Sequence, residues 1–114
     1  MNRNKTLGTR GERIAADFYR ARGASVIAAN VHYAVGELDL IVRENNTFVF
    51  VEVKTRSTPA YGVAEAVTRR KLQRMRKAAV QWLNGKPLSE VRFDVITILA
   101  QGGTHSLEHF EGVS

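Results

Sequence analysis

The sequence predicts an α/β fold, a mixed β-sheet flanked by helices, in one domain spanning residues 1–114. Three observations predict it. Two segments carry apolar residues at helical spacing, while several others are short, apolar and rich in β-branched residues. Their order is helix, strand, hairpin, helix, then one or two strands, which suits helices packed on a sheet. The segment between the third and fourth predicted strands is long enough for the crossover that a parallel strand pair requires.

Each element has a local reason. Residues 6–22 read as a helix because Leu7, Ile14, Ala15 and Phe18 recur on one stripe, and Gly23 ends it. "ASVIAAN" (24–30) is a short strand. "GELDLIVRE" (36–44) and "TFVFVEVKT" (47–55) are strands joined at Asn45-Asn46, a pair that tolerates positive φ. Pro59 and Gly62 mark 56–62 as a loop, in which Tyr61 is placed either to stack on a base or to pack down. Leu72, Met75, Ala79 and Trp82 give a second helix over 67–83, closed by Asn84-Gly85 and Pro87. "VRFDVITILA" (91–100) is a strand, and 106–112 is expected to be a frayed edge strand.

Composition narrows the chemistry. A chain of 114 residues removes about two-thirds of its unfolded surface from water. With no cysteine, disulfides, thiolate metal sites and cysteine nucleophiles are excluded. No stretch approaches the roughly 20 apolar residues of a membrane span, and the N-terminus lacks the apolar centre of a signal peptide, so a cytoplasmic protein without membrane contact is expected. The net charge of +6 favours polyanionic partners. Neither a phosphate-binding glycine loop nor a GxSxG elbow is present.

The hairpin holds the chemistry. Strand alternation puts Glu52 and Lys54 on the side of Phe48 and Phe50, and groups Glu37, Asp39, Ile41 and Arg43 against Leu38, Leu40 and Val42. A two-residue turn sets Glu44 opposite Thr47, and counting back in register puts Asp39 across from Glu52 and Glu37 across from Lys54. Two carboxylates at cross-strand distance repel by roughly 3 kcal/mol at an effective dielectric of about 20. A hard divalent cation between them removes that cost. The other reading is purely structural: Glu37 paired with Lys54, and Glu52 with Arg43 or Arg56. Spacing leaves both open. For Glu12, Thr9-Arg10-Gly11-Glu12 fits a capping box, which the spacing favours over a place in the site.

"RRKLQRMRK" (69–77) carries Arg69, Arg70, Lys71, Arg74, Arg76 and Lys77 with no acid among them. Its apolar stripe turns to the core, so the cations form either a solvated face or a phosphate-tracking one. His105 and His109 are expected to be surface histidines, and Asp94 a polar residue at a strand end.

Taken together, Glu12, "GELDLI", "FVFVEVKTR", "AYGVAEAVTRRKLQRM" and "RFDVI" resemble the YraN family of bacterial proteins. Through it they resemble the PD-(D/E)XK nuclease superfamily and its Holliday junction resolvases. The resemblance implies a restriction-endonuclease-like fold and a DNA endonuclease dependent on Mg²⁺ or Mn²⁺. By position, Asp39 and Glu52 would hold the metal, Lys54 would be the catalytic lysine, and Glu12 would complete the acidic set rather than cap a helix. Glu37 would support them, and Arg69, Arg70, Lys71 and Arg74 would contact DNA selected by shape rather than sequence. Two-sided cleavage of a branched substrate would favour a homodimer. This chain departs from the family in having His32 where relatives carry an arginine. The alternatives are a non-catalytic nucleic-acid-binding module and a basic partner in a protein complex.

Overall fold

The computed structural model describes residues 3–57 and 67–114, and side chains from residue 10 onward. The elements in chain order are α1 (Arg3–Ala21), β1 (Ser25–Tyr33), β2 (Gly36–Glu44), β3 (Thr47–Arg56), α2 (Arg69–Leu83), β4 (Glu90–Gln101) and β5 (Thr104–Phe110). The predicted loop with Pro59, Tyr61 and Gly62 lies outside the described residues, as does the side chain of Leu7.

The five strands form one sheet in sequence order. β1–β2, β2–β3 and β4–β5 are antiparallel, whereas β3–β4 is parallel and is bridged by the chain segment containing α2. This is the mixed α/β architecture the sequence predicts, and it is compatible with a restriction-endonuclease-like fold. No helix among the described residues is long and apolar enough to cross a membrane.

The helices cover opposite faces, as alternation in β3 demands. Phe48 and Phe50 pack with Leu72, Met75, Ala78 and Ala79 of α2, while Val49 and Val51 pack with Ala15, Ala16 and Tyr19 of α1. Trp82 meets the rings of Phe48 and Phe50 edge-on. Gly23, at φ +90°, ends α1 in a left-handed conformation that costs glycine little. α1 begins at Arg3, three residues before the predicted start at 6, so Thr9–Glu12 lies wholly inside the helix and the capping-box reading is overturned. Thr68 caps α2 instead, its hydroxyl accepting from the Lys71 N–H at 3.1 Å.

Alternation fails at a bulge between Val26 and Ala28 and again at Asn30 and Asp39, and the second place shapes the site. Val42 and Leu40 face α1 and Ile41 faces α2, but Leu38 joins the α2 cluster rather than staying with Leu40. In β1, Ala28 and Val31 both pack on the α2 side, although regular alternation over their three-residue step would put them on opposite faces. Between these pairs lie Asn30 and Asp39, flanked by the paired residues Ala29–Leu40 and Val31–Leu38. Asn30 has φ +54°, a left-handed conformation that asparagine tolerates better than most residues. The face switch at Asn30 and Asp39 corrects the expected grouping of Leu38, Leu40 and Val42. Gly36 opens β2 where a Cβ would run into the backbone carbonyl of Arg74, so glycine lets β2 and α2 approach closely.

Candidate metal centre and basic groove

The register read from the Asn45-Asn46 turn holds from Glu44–Thr47 to Leu40–Val51. Asn45 takes φ +56°, as a tight hairpin turn requires. Beyond Leu40 the ladder ends. There the Asp39 carboxylate substitutes for a strand partner, its Oδ2 accepting from the Val53 N–H at 2.8 Å. Asp39 is thus fixed against β3 by a charge-assisted bond.

Glu52 projects from β3 on the α2 side and is 2% exposed. Burial, and next the Asp39 carboxylate within hydrogen-bonding reach, raise its pKa to about 7 against the opposing pull of Lys71. Lys71, from the first turn of α2, places Nζ 2.5 Å from Glu52 Oε2. Burial lowers the ammonium's pKa, but the Glu52 bond and charge, with Asp39 and Glu37, outweigh it and hold it above its ordinary value. The partners expected for Glu52 in a structural strand pair, Arg43 and Arg56, are replaced by a lysine from the helix.

The remaining acids close in from other elements. Glu12, on α1, accepts from Asn30 Nδ2 at 2.9 Å. Its pKa is raised, chiefly by burial and then by Asp39 and Glu37, with the Asn30 bond and His32 opposing. Glu37 does not face Lys54. With the hairpin ladder ended, it pairs across β1 with His32, whose Nδ1 lies 2.9 Å from Glu37 Oε2. Lys54 is exposed and makes no ion pair among the described residues. Alternation leaves it on the Glu52 side of β3, one step toward the strand's end.

The chemistry of this donor set fits a hard divalent cation: two neighbouring carboxylates, one fixed and one buried, with more acids behind them. The fit rests on Asp39 and Glu52. Glu12 stands behind them, since Glu12, Asp39 and Glu52 do not bring ligand atoms within 4.8 Å of one another.

Beside the acids, Glu37, Thr68, Arg70, Lys71, Arg74 and Met75 line a cavity of about 300 Å³. The four cations expected to act together divide here. Arg70, Lys71 and Arg74 border the acids, whereas Arg69 lines a neighbouring groove with Arg76 and Val113.

A second polar network lies on the α1 face. Asp94, expected at a strand end, is fully buried within β4 and accepts from Tyr19 Oη at 2.7 Å, Arg92 Nε at 2.9 Å and the Gly112 N–H at 3.0 Å. His109 Nε2 lies 2.8 Å from its Oδ2, and Arg22 Nη1 lies 3.0 Å from His109 Nδ1. Arginine only donates, so Nδ1 accepts and Nε2–H points at Asp94. Burial alone would raise the Asp94 carboxyl, but Arg92, His109, Gly112 and Tyr19 together hold it below the ordinary value. The half-buried His109 corrects its expected place on the surface, while His105 is exposed.

Asp94, His109 and Glu111 form the trio among the described residues whose ligand atoms do lie within 4.8 Å. Yet Arg92 bonds Asp94, and Arg22 bonds Glu111 at 3.1 Å. Two guanidinium ions already supply the positive charge a metal would bring, so this trio is a structural lock. Its hub carried no readable signal, because "RFDVI" shows no partner near Asp94 in sequence.

The model of the uncharacterised protein family UPF0102 matches residues 11–98, a span holding every acid of the candidate centre and all of α2. A UPF0102 protein of Corynebacterium efficiens is 51% identical over 110 residues, covering 94% of this chain and 90% of the relative. One from Beutenbergia cavernae is 44% identical over 117 residues and covers 99% of both chains. Another, from Syntrophomonas wolfei, is 40% identical over 109 residues, with 93% and 95% covered. The chain belongs to the uncharacterised protein family UPF0102.

Proposed function

We propose that the protein is a divalent-metal-dependent DNA endonuclease of the PD-(D/E)XK type, acting on branched or otherwise structured DNA. One observation carries this reading: a buried carboxylate, Glu52, held beside Asp39 at the edge of a groove bordered by Arg70, Lys71 and Arg74. A core with only structural needs gains nothing from two adjacent acids there.

Asp39 and Glu52 would hold Mg²⁺ or Mn²⁺. Bound there, such an ion supplies charge neutralisation at a scissile phosphate and lowers the pKa of water. The chain's own groups do the rest. The Val53 N–H orients Asp39, and the α2–β3 core fixes Glu52. The exposed Lys54 ammonium would meet a phosphate oxygen and stabilise charge developing on it. Arg70 and Arg74 would position the DNA backbone, with Glu12 and Glu37 shaping the field around the acids.

Incubation with plasmid and four-way-junction DNA tests the activity. Cleavage is expected with Mg²⁺ or Mn²⁺ and is expected to stop in EDTA. Cutting that persists in EDTA would overturn the reading. The non-catalytic nucleic-acid-binding module is favoured by the Lys71–Glu52 ion pair, which already part-neutralises the acids. Junction binding with no cleavage in either metal would establish it.

A further inference from the structure

We propose that Lys71 is an internal counter-cation that competes with the divalent cation for Glu52 and, once displaced, adds its charge to the DNA groove. This rests on the metal-site reading above and assigns Lys71 a positioning role within it. The two members of the ion pair are unequal. The Glu52 side chain is 3% exposed and belongs to a strand in the middle of the sheet, whereas the Lys71 side chain is 43% exposed on a long, flexible stem. Only the lysine can leave without unpacking the core.

It also has somewhere to go. The groove that Lys71 lines with Glu37, Arg70 and Arg74 is continuous with its own side chain. Charge sets the direction of exchange: Asp39 and Glu52 together carry two negative charges and a single ammonium balances one, whereas a divalent ion balances both. Lysine suits this exchange better than arginine, being a compact point charge that makes no fixed bidentate fork with a carboxylate. Because coupling between two ligands is reciprocal, a metal that expels Lys71 into the groove strengthens DNA binding, and bound DNA strengthens metal binding.

The test is a calorimetric titration of the full chain with Mn²⁺ alone, at about pH 8, using wild type, Lys71→Met, Lys71→Arg and Glu52→Gln. Lys71→Met, which keeps the stem and loses the charge, is expected to bind Mn²⁺ about tenfold more tightly than wild type. Lys71→Arg, which keeps a cation at the position, is expected to gain no affinity, and Glu52→Gln to lose binding. If Lys71→Met binds no more tightly while Glu52→Gln has lost binding, the inference falls and the metal site stands. If none of the four proteins binds Mn²⁺, both fall.

Discussion

Asp94→Ala is expected to destabilise the protein by about 3–5 kcal/mol, the range for removing one partner of a buried ion pair. Asp94 is fully buried and ties together Tyr19 of α1, Arg92 of its own strand, His109 of β5 and the Gly112 backbone. Its removal strands the Tyr19 hydroxyl and the His109 N–H in the interior and leaves Arg92 leaning on Glu44 and Glu111. Domains of this kind carry a total stability of about 5–15 kcal/mol, so the variant would sit near the threshold of unfolding. Urea denaturation at neutral pH measures the loss. A shift below about 1 kcal/mol would show that the network is not the lock described.

Glu52→Gln is expected to act in the opposite sense on stability while abolishing cleavage. In the folded chain the Glu52 carboxyl ionises near 7, whereas its ordinary value is 4.5. Between those values the native state holds the proton more firmly than the unfolded chain does. Wild-type stability therefore falls as pH rises through that window, the full penalty being present above about 7 and absent below about 4.5. Glutamine does not ionise and avoids the penalty. Lys71, left without its partner, is half exposed and returns to water at small cost. The variant should be more stable than wild type at pH 8 by about 1–3 kcal/mol and similar to it near pH 4.5. Cleavage in Mg²⁺ should fall by at least about a hundredfold, because a carboxylate that would hold the cation neutralising the phosphate is lost. Urea midpoints at both pH values and a junction-cleavage time course check the two halves. A variant less stable at both pH values, or one that still cuts, would make Glu52 a structural residue.

Much of this centre was legible in the sequence, and the illegible parts share a physical cause. Hairpin register follows from turn length, so the Asn45-Asn46 pair fixes the ladder from Glu44–Thr47 to Leu40–Val51. The expected Asp39–Glu52 pair lies beyond its end, and Asp39 comes near Glu52 through its bond to the Val53 N–H instead. Faces follow from alternation, which puts Glu52 on the side of Phe48 and Phe50, as found, because β3 is regular. The rule failed at Asn30 and Asp39, where a left-handed residue switches the faces of two strands at once, and positive φ outside glycine leaves no reliable mark in sequence. Glu37 departs from its expected partner Lys54 for a related reason: the β2–β3 ladder ends at Leu40–Val51, and Glu37 pairs with His32 instead.

Contacts between elements were harder still. Lys71 looks like any other cation in "RRKLQRMRK"; only the approach of α2 to β2, permitted at Gly36, turns it toward Glu52. The capping motif at Thr9–Glu12 is locally sound, but a helix that starts at Arg3 places all four residues in its interior. The Asp94 lock joins residues from α1, β4 and β5, with Tyr19 and His109 each far from Asp94 in sequence, a separation that periodicity and spacing do not report.

The proposed activity requires Asp39 and Glu52 to share a divalent cation. Anomalous diffraction from crystals grown with Mn²⁺ tests it most directly. A Mn²⁺ peak bonded to a carboxylate oxygen of each is expected, with Lys71 Nζ moved away from Glu52 toward Arg70 and Arg74. An empty site at saturating Mn²⁺, with Lys71 still bonded to Glu52, would contradict it.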